Sequence, residues 1–398
     1  VRGIVALAGA VLGLACATPA AQAGDPFFGT FTTDFSDPQP VLDQALAAQA
    51  ATGAGTLREH VHWDRVERAP GRFDWAELDQ LVGRAADHGL TVLPVLITTP
   101  SFYSTRPAGV TTDGWPPRDP GSISRFAYEV AHRYGRLGSF WGCVLPGLAC
   151  KRPYRPIRAW QVWNEPDYPA WWRTGPDPAA YTRLLRQASL GLRLGDPLAE
   201  VVLGGVSLGA LANGYLDRLY ANGARLWFDT LALHPYAADV PGIVAHVQRA
   251  RQIAAARGDR SVPVRVTEYG FATGGVREWV TDEACQASLL HAATRELSAR
   301  RAELRLRGVV QFQWQDRVGA SWPHFMGLLR PDGTAKPALG AFREAVAGRA
   351  APAGLPAPES CANRRKAPVS AAPPESATSP PDDPAEVGLP RATVRRAR

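Results

Sequence analysis

The chain has 398 residues, 45% hydrophobic and 20% charged, a mixture that excludes both a wholly disordered polymer and a small disulfide-stapled scaffold. Its formal net charge is +7, but the 44 Lys and Arg are not gathered into a basic helix or stripe, so no nucleic-acid surface is expected. Beyond residue 23 no apolar run is long enough to cross a bilayer.

The first element is a leader. Arg2, the apolar run 4–15 and small residues ending in Ala21-Gln22-Ala23 have the charged start, apolar centre and A-x-A end of a secretory signal peptide. Residues 1–23 are therefore expected to be removed and the protein to be secreted. Cys16 lies inside the apolar run, but the residues before it fit a lipid-attachment site poorly, so plain secretion ranks ahead of lipoprotein anchoring. The remaining four cysteines form an even set, which favours disulfides in an exported chain. A local Cys143–Cys150 bridge is expected around Pro146-Gly147, and Cys285–Cys361 would then tie the C-terminal segment to the body.

Short β-rich runs follow near 28–31, 57–60, 91–96, 157–163, 201–204, 229–234, 263–267 and 309–314. Most are nearly continuous apolar stretches, as strands buried on both faces should be. Helical patterns separate them. Trp75, Leu78, Leu81, Val82 and Ala85 recur at i, i+3, i+4 spacing, and Gly89 can stop that helix. Phe126, Val130, Ala131 and Tyr134 repeat the pattern, as do Tyr181, Leu184, Leu185, Ala188 and Leu192. Segments 241–258, 282–304 and 336–348 also read as helices. Eight strand–helix units predict an α/β fold, a (β/α)8 TIM barrel forming a single domain over 24–350. A doubly wound open sheet is the alternative, but no glycine-rich nucleotide fingerprint follows the first strand. From residue 351 the composition turns to Ala, Pro, Ser and Glu, so 351–398 is expected to be a disordered Pro/Ala-rich tail. Its terminal RRAR offers a contact to an anionic cell wall.

In such a barrel chemistry sits at the C-terminal strand ends. The polar residues expected there are Arg58, Asn164, Glu165, His234, Tyr236 and Glu268, with Trp314 beside them. Glu165 follows the fourth strand in Trp163-Asn164-Glu165-Pro166, and Glu268 ends the seventh in Thr267-Glu268-Tyr269-Gly270. Two carboxylates facing each other across a cleft are what glycosidic cleavage requires. Arg58 is the candidate to keep Glu268 ionised, with Glu59 or Asp64 as its alternative partners, and Tyr236 can donate to the same carboxylate. Glu165 must hold a proton, and the charge of Glu268 is expected to raise its pKa. Asn164 can bond a sugar hydroxyl.

These residues resemble those of the clan A glycoside hydrolases, retaining (β/α)8 enzymes, and within them most closely the family 39, cellulase-like type. The resemblance rests on Asn164-Glu165, Arg58, His234-Pro235-Tyr236, Trp314, the stretch WDRVERAPGRFDWAELD and the closing GLLRPDGTAKPAL, and it covers about residues 26–348. It implies Glu165 as acid/base, Glu268 as nucleophile and retention of configuration, with the carboxyl groups roughly 5–5.5 Å apart. Substrates implied are xylosides, iduronides or bacterial exopolysaccharides, a polysaccharide or oligosaccharide in general.

Trp171, Trp172 and His324 are further candidates for substrate contact, the tryptophans because sugar faces pack on aromatic rings. Phe102, Tyr103, Trp115 and Trp322 adjoin the mouth-side loops, Trp75 and Trp227 are expected in the core, and His60 and His62 at the rim or surface. Loops 101–121 and 138–156, taken to follow strands three and four, lean the expectation towards endo action. No metal site or cofactor motif is visible, and the mechanism calls for none. The competing functions are a carbohydrate-binding barrel without catalysis and a cell-wall-associated interaction protein acting through the basic tail.

Overall fold

A computed structural model describes residues 24–31, 39–275 and 280–362. One parallel sheet contains β1 (Asp25–Phe31), β2 (Ala54–His62), β3 (Thr91–Ile97), β4 (Ala159–Val162), β5 (Glu200–Val202), β6 (Leu231–Leu233), β7 (Val264–Tyr269) and β8 (Leu306–Gln311). Their spatial order is β5-β4-β3-β2-β1-β8-β7-β6. The two edges also meet. Leu203 N–H donates to Thr230 O at 2.9 Å, and parallel bridges join Val202 to Thr230 and Val206 to Leu233. The sheet thus closes into the expected (β/α)8 barrel.

The apolar runs are explained by burial on both strand faces. Leu57, Val61, Val92, Leu96, Val162 and Val266 face the helices in the main core. Leu93, Ala159, Val202 and Ala232 form a small layer inside the barrel. The surrounding helices are α1 (Gln39–Ala50), α2 (Ala76–Asp87), α3 (Ile123–Tyr134), α4 (Pro178–Gly195), α5 (Tyr215–Ala221), α6 (Val240–Ala256), α7 (Glu283–Ala299) and α8 (Pro337–Val346). Asp177, Asp239 and Asp282 cap α4, α6 and α7, each accepting from first-turn amides. Helices α3 and α4 approach closely because Gly191 faces the α3 backbone; a Cβ there would lie 2.1 Å from Ser124 O. Two helical regions had no usable sequence signal: α1, which is Ala-rich without a clear apolar stripe, and the short helices Leu208–Ala212 and α5 between β5 and β6.

Both disulfides pair as expected, Cys143–Cys150 and Cys285–Cys361, and mark a chain folded outside the reducing cytoplasm. Among the described residues no helix is long and apolar enough to cross a membrane.

Two expectations are corrected. Residues 351–362 are not a disordered tail. Ser288 Oγ donates to Pro356 O at 2.6 Å, Leu355 packs on the core, and Cys361 bonds Cys285 within the short helix Pro358–Ala362. The leader, 1–23, and the rest of the tail, 363–398, lie outside the described residues. Loop 138–156 does not border the mouth. It follows α3 and feeds the start of β4, with Ile157 N–H bonded to Tyr134 O at 2.9 Å, so it lies at the opposite pole of the barrel. Loop 101–121 does follow β3, and Arg173 N–H binds Gly114 O at 3.0 Å, joining it to the loop after β4.

Candidate active site

Glu268 reaches the barrel interior through an irregular strand. Val266 and Tyr269 both face the helix layer, and Tyr269 Oη bonds Thr294 Oγ1 of α7 at 2.7 Å. On β8 their partners are Val309 and Gln311, so β7 holds one residue more than its neighbour over the same span. This bulge turns Thr267 and Glu268 inward together, where strict alternation would have sent Glu268 outward with Val266.

Glu165 is placed by a second irregularity. Trp163 and Glu165 have φ of 70° and 36°, a region that non-glycine residues seldom occupy and that recurs at functional sites. The turn is anchored by Glu165 N–H to Gly205 O at 3.0 Å and by Trp163 Nε1 to Trp171 O at 2.7 Å. Gly205 must be glycine, since a Cβ would lie 2.1 Å from His234 Nε2.

The fully buried Arg58 organises one side of the site. Its Nη1 donates to Glu268 Oε1 at 2.8 Å, Nη2 to Asn164 Oδ1 at 2.8 Å and Nε to Gln161 Oε1 at 3.2 Å. Tyr236 Oη donates to the other Glu268 oxygen at 2.7 Å. His234 Nδ1 lies 2.7 Å from Glu165 Oε1 and 3.5 Å from Glu268 Oε2, while Nε2 meets Thr267 Oγ1 at 3.1 Å. The Thr267 hydroxyl can donate to or accept from that ring, so His234 can adopt either tautomer.

Burial is the main cause that raises the Glu165 pKa, and the charges of Glu268 and Asp167 add to it, while His234 opposes. The expected cause, Glu268 alone, is therefore secondary: a carboxylate removed from water is disfavoured before any neighbour acts. Burial and the adjacent Glu268 push the Tyr236 hydroxyl well above its usual range, so it stays a donor. Burial, then Arg58, lowers the His60 pKa well below the ordinary histidine value and keeps the ring neutral.

The aromatic candidates divide. Trp171 packs on Val95 and Ile97 at the barrel mouth, and its ring meets that of His60 at 5.5 Å. Trp172 belongs to the main core, edge-on to Trp163 and Tyr181, and is not a site residue. Trp314 is likewise core. Phe312 occupies the mouth instead, stacked on Phe31 at 5.1 Å and edge-on to Tyr236. Trp322 meets Tyr236 edge-on at 5.0 Å, and His324 is buried in the same short turn, Trp322–Phe325. Tyr103 stacks obliquely on Trp63 of the core, with Phe102 beside it. Trp75 and Trp227 are half-buried against the core. His60 lies at the rim, half-buried between Phe31 and Trp171, and its Nε2 is buried without a hydrogen-bond partner.

Sequence reasoning missed Phe31, Gln161, Thr267 and Phe312. The inward period of two from Arg58 would have found His60, but nothing local announces the bulge that turns Thr267 and Glu268 in together.

One ligating atom each of Glu165, His234 and Glu268 lies within 4.8 Å of the others, the one such group among the described residues. These atoms already bond to one another and to Tyr236, Thr267 and Arg58. The guanidinium supplies the positive charge that a metal ion would bring, so the arrangement fits proton handling better than metal binding.

No protein-family model matches the sequence, and no curated protein does. Solved structures do resemble it. A family 39 glycoside hydrolase from the gut symbiont Bacteroides cellulosilyticus WH2 aligns with TM-score 0.61 and 18% identity over 80% of this chain and 63% of its own. A family 39 enzyme from Xanthomonas axonopodis pv. citri gives 0.61 and 18% over 85% and 69%. A family 39 β-xylosidase from Caulobacter crescentus gives 0.59 and 20% over 82% and 73%. The chain spans less than two thirds of the first of these, and at such identities the likeness is one of fold.

Proposed function

We propose that the protein is a secreted retaining glycosidase that cleaves a polysaccharide or oligosaccharide by double displacement. The observation that carries this reading is the pair of buried carboxylates, with oxygens within 4.8 Å of each other, in opposite hydrogen-bonding surroundings. Glu268 faces the Arg58 guanidinium and the Tyr236 hydroxyl, and Glu165 faces His234 with its pKa raised by burial. An approach of their oxygens to within 4.8 Å supports the retaining arrangement, roughly 5–5.5 Å between carboxyl groups, over the inverting one of roughly 6.5–9.5 Å that leaves room for a water.

Glu268 attacks the anomeric carbon while protonated Glu165 gives its proton to the departing oxygen. Once Glu268 is esterified its charge is gone, and one of the causes that hold the Glu165 proton disappears with it. Glu165 can then take a proton from water, which attacks the glycosyl-enzyme from the same side. His234 Nδ1–H donates to Glu165 Oε1 in both states, with Nε2 accepting from Thr267, which leaves Glu165 Oε2 to carry the proton given to the departing oxygen and later taken from water. Asn164, held by Arg58, leaves its amide N–H2 to bind a sugar hydroxyl. Trp171, Phe312 and Trp322 supply ring faces or edges at the mouth.

The β-xylosidase among the structural neighbours recommends aryl β-xylosides first, followed by other β-glycosides and a panel of bacterial and plant polysaccharides. Wild-type turnover abolished by Glu268→Gln, with the variant still binding, is the expected result. Equal turnover by both proteins rejects the assignment. Binding by both without turnover favours a non-catalytic carbohydrate-binding barrel.

A further inference from the structure

The pole opposite the glutamates carries an unusual surface. Among the described residues ten large hydrophobic side chains are exposed, and six of them lie where α3 and α4 end and β4 and β5 begin. Val144, Leu145 and Leu148 project from the loop closed by Cys143–Cys150, with Leu137, Leu194 and Leu198 on the neighbouring segments. All six are 58–76% exposed. An antiparallel bridge between Leu145 and Leu148 and the disulfide fix the loop as a compact knuckle, so little chain entropy is lost if it inserts into another phase.

Charge along the segment that carries the knuckle is one-sided. Between Glu129 and Glu165 the sequence holds no acidic residue, yet it holds Arg133, Arg136, Lys151, Arg152, Arg155 and Arg158. Asp79 and Asp196 neutralise Arg133 and Arg136. Lys151, Arg152 and Arg158 are exposed, and among the described residues no carboxylate pairs with them. Arg152 lies over the Phe140 ring at 4.0 Å, which holds its charge beside the knuckle.

We propose that this pole docks on an anionic lipid bilayer, with Val144, Leu145 and Leu148 entering the acyl boundary and Lys151, Arg152 and Arg158 meeting the headgroups. A convex aliphatic tip with a basic rim matches both layers of such an interface. A soluble polyanion would satisfy the cations but leave the aliphatic side chains in water. The catalytic mouth then faces away from the membrane.

The full-length protein is sedimented with vesicles of phosphatidylcholine alone or mixed with phosphatidylglycerol. The wild type should bind only the anionic vesicles. Leu145→Asp/Leu148→Asp should weaken binding at least ten-fold, since burying each leucine is worth more than that factor. Lys151→Ala/Arg152→Ala, an independent variant that keeps the apolar tip, should weaken it about five-fold per cation removed. Turnover of soluble substrate should be unchanged in both. No binding of wild type to anionic vesicles overturns the proposal. So does equal binding by wild type and the leucine variant, which would mark a surface that reads polyanions and not lipid.

Discussion

Removing the Glu165 carboxyl separates the two halves of the proposed reaction. In Glu165→Ala the proton donor is gone, while Glu268 keeps its bonds to Arg58 and Tyr236. General acid catalysis is worth roughly 100- to 10,000-fold, about 3–5 kcal/mol of barrier. That loss should appear in full for substrates whose leaving group is a sugar or alkyl alcohol. A dinitrophenyl glycoside leaves without a proton, so its first step should be nearly unchanged, and the glycosyl-enzyme should accumulate as a burst because no base activates water. Azide needs no base and fits the space vacated by the carboxyl, so it should restore turnover and give a glycosyl azide of the substrate's own configuration. Stopped-flow release of dinitrophenolate, with product configuration read by NMR, makes the measurement. The wild type should also lose kcat/KM on its alkaline side at a pH above the usual carboxylate range, because burial raises the Glu165 pKa and the acid form persists higher. That limb should vanish in the variant. An equal loss for both leaving-group classes, or an azide product of opposite configuration, refutes the assignment.

Arg58→Met leaves Glu268 and Asn164 without their guanidinium partner in a buried place; breaking such a pair costs about 3–5 kcal/mol, to be read by urea unfolding alongside loss of turnover. Burial, then the charge of Asp64, pushes the Asp113 carboxyl up to about 6 from 3.8. A folded pKa above the unfolded one means stability present at acid pH and lost as pH rises through the folded value. Asp113→Asn should therefore be the more stable protein at pH 7, by up to about 3 kcal/mol, with the difference gone below pH 4. Breaking Cys285–Cys361, which spans 76 residues, should destabilise more than breaking Cys143–Cys150, which spans 7; chain entropy gives about 4.5 against about 2.4 kcal/mol, and thermal melts of the two serine variants compare them.

The barrel was legible because parallel strands buried on both faces write themselves as short apolar runs, and the helices between them as 3.6-residue periodicity. Most of the eight strands are so marked, and the terminal positions of β4 and β7 drew attention to Glu165 and Glu268 without any coordinates. What local pattern could not supply was direction and company. The bulge in β7 depends on its register with β8, and it alone brings Glu268 onto the face that Arg58 shares. Adjacent Trp171 and Trp172 have the same chemistry, yet one packs at the mouth and the other in the core, because the turn after β4 sends them to opposite sides. Arg58 had three carboxylates as partners on paper, and only the closed barrel brings Glu268 within 2.8 Å of it. Depth from solvent, the leading cause of the raised Glu165 pKa, is a property of the assembled barrel. The sequence determined the architecture and the chemical types at strand ends, since those follow from local period and composition. Which groups face each other, and in what dielectric, was decided by contacts between residues from 32 to 210 positions apart.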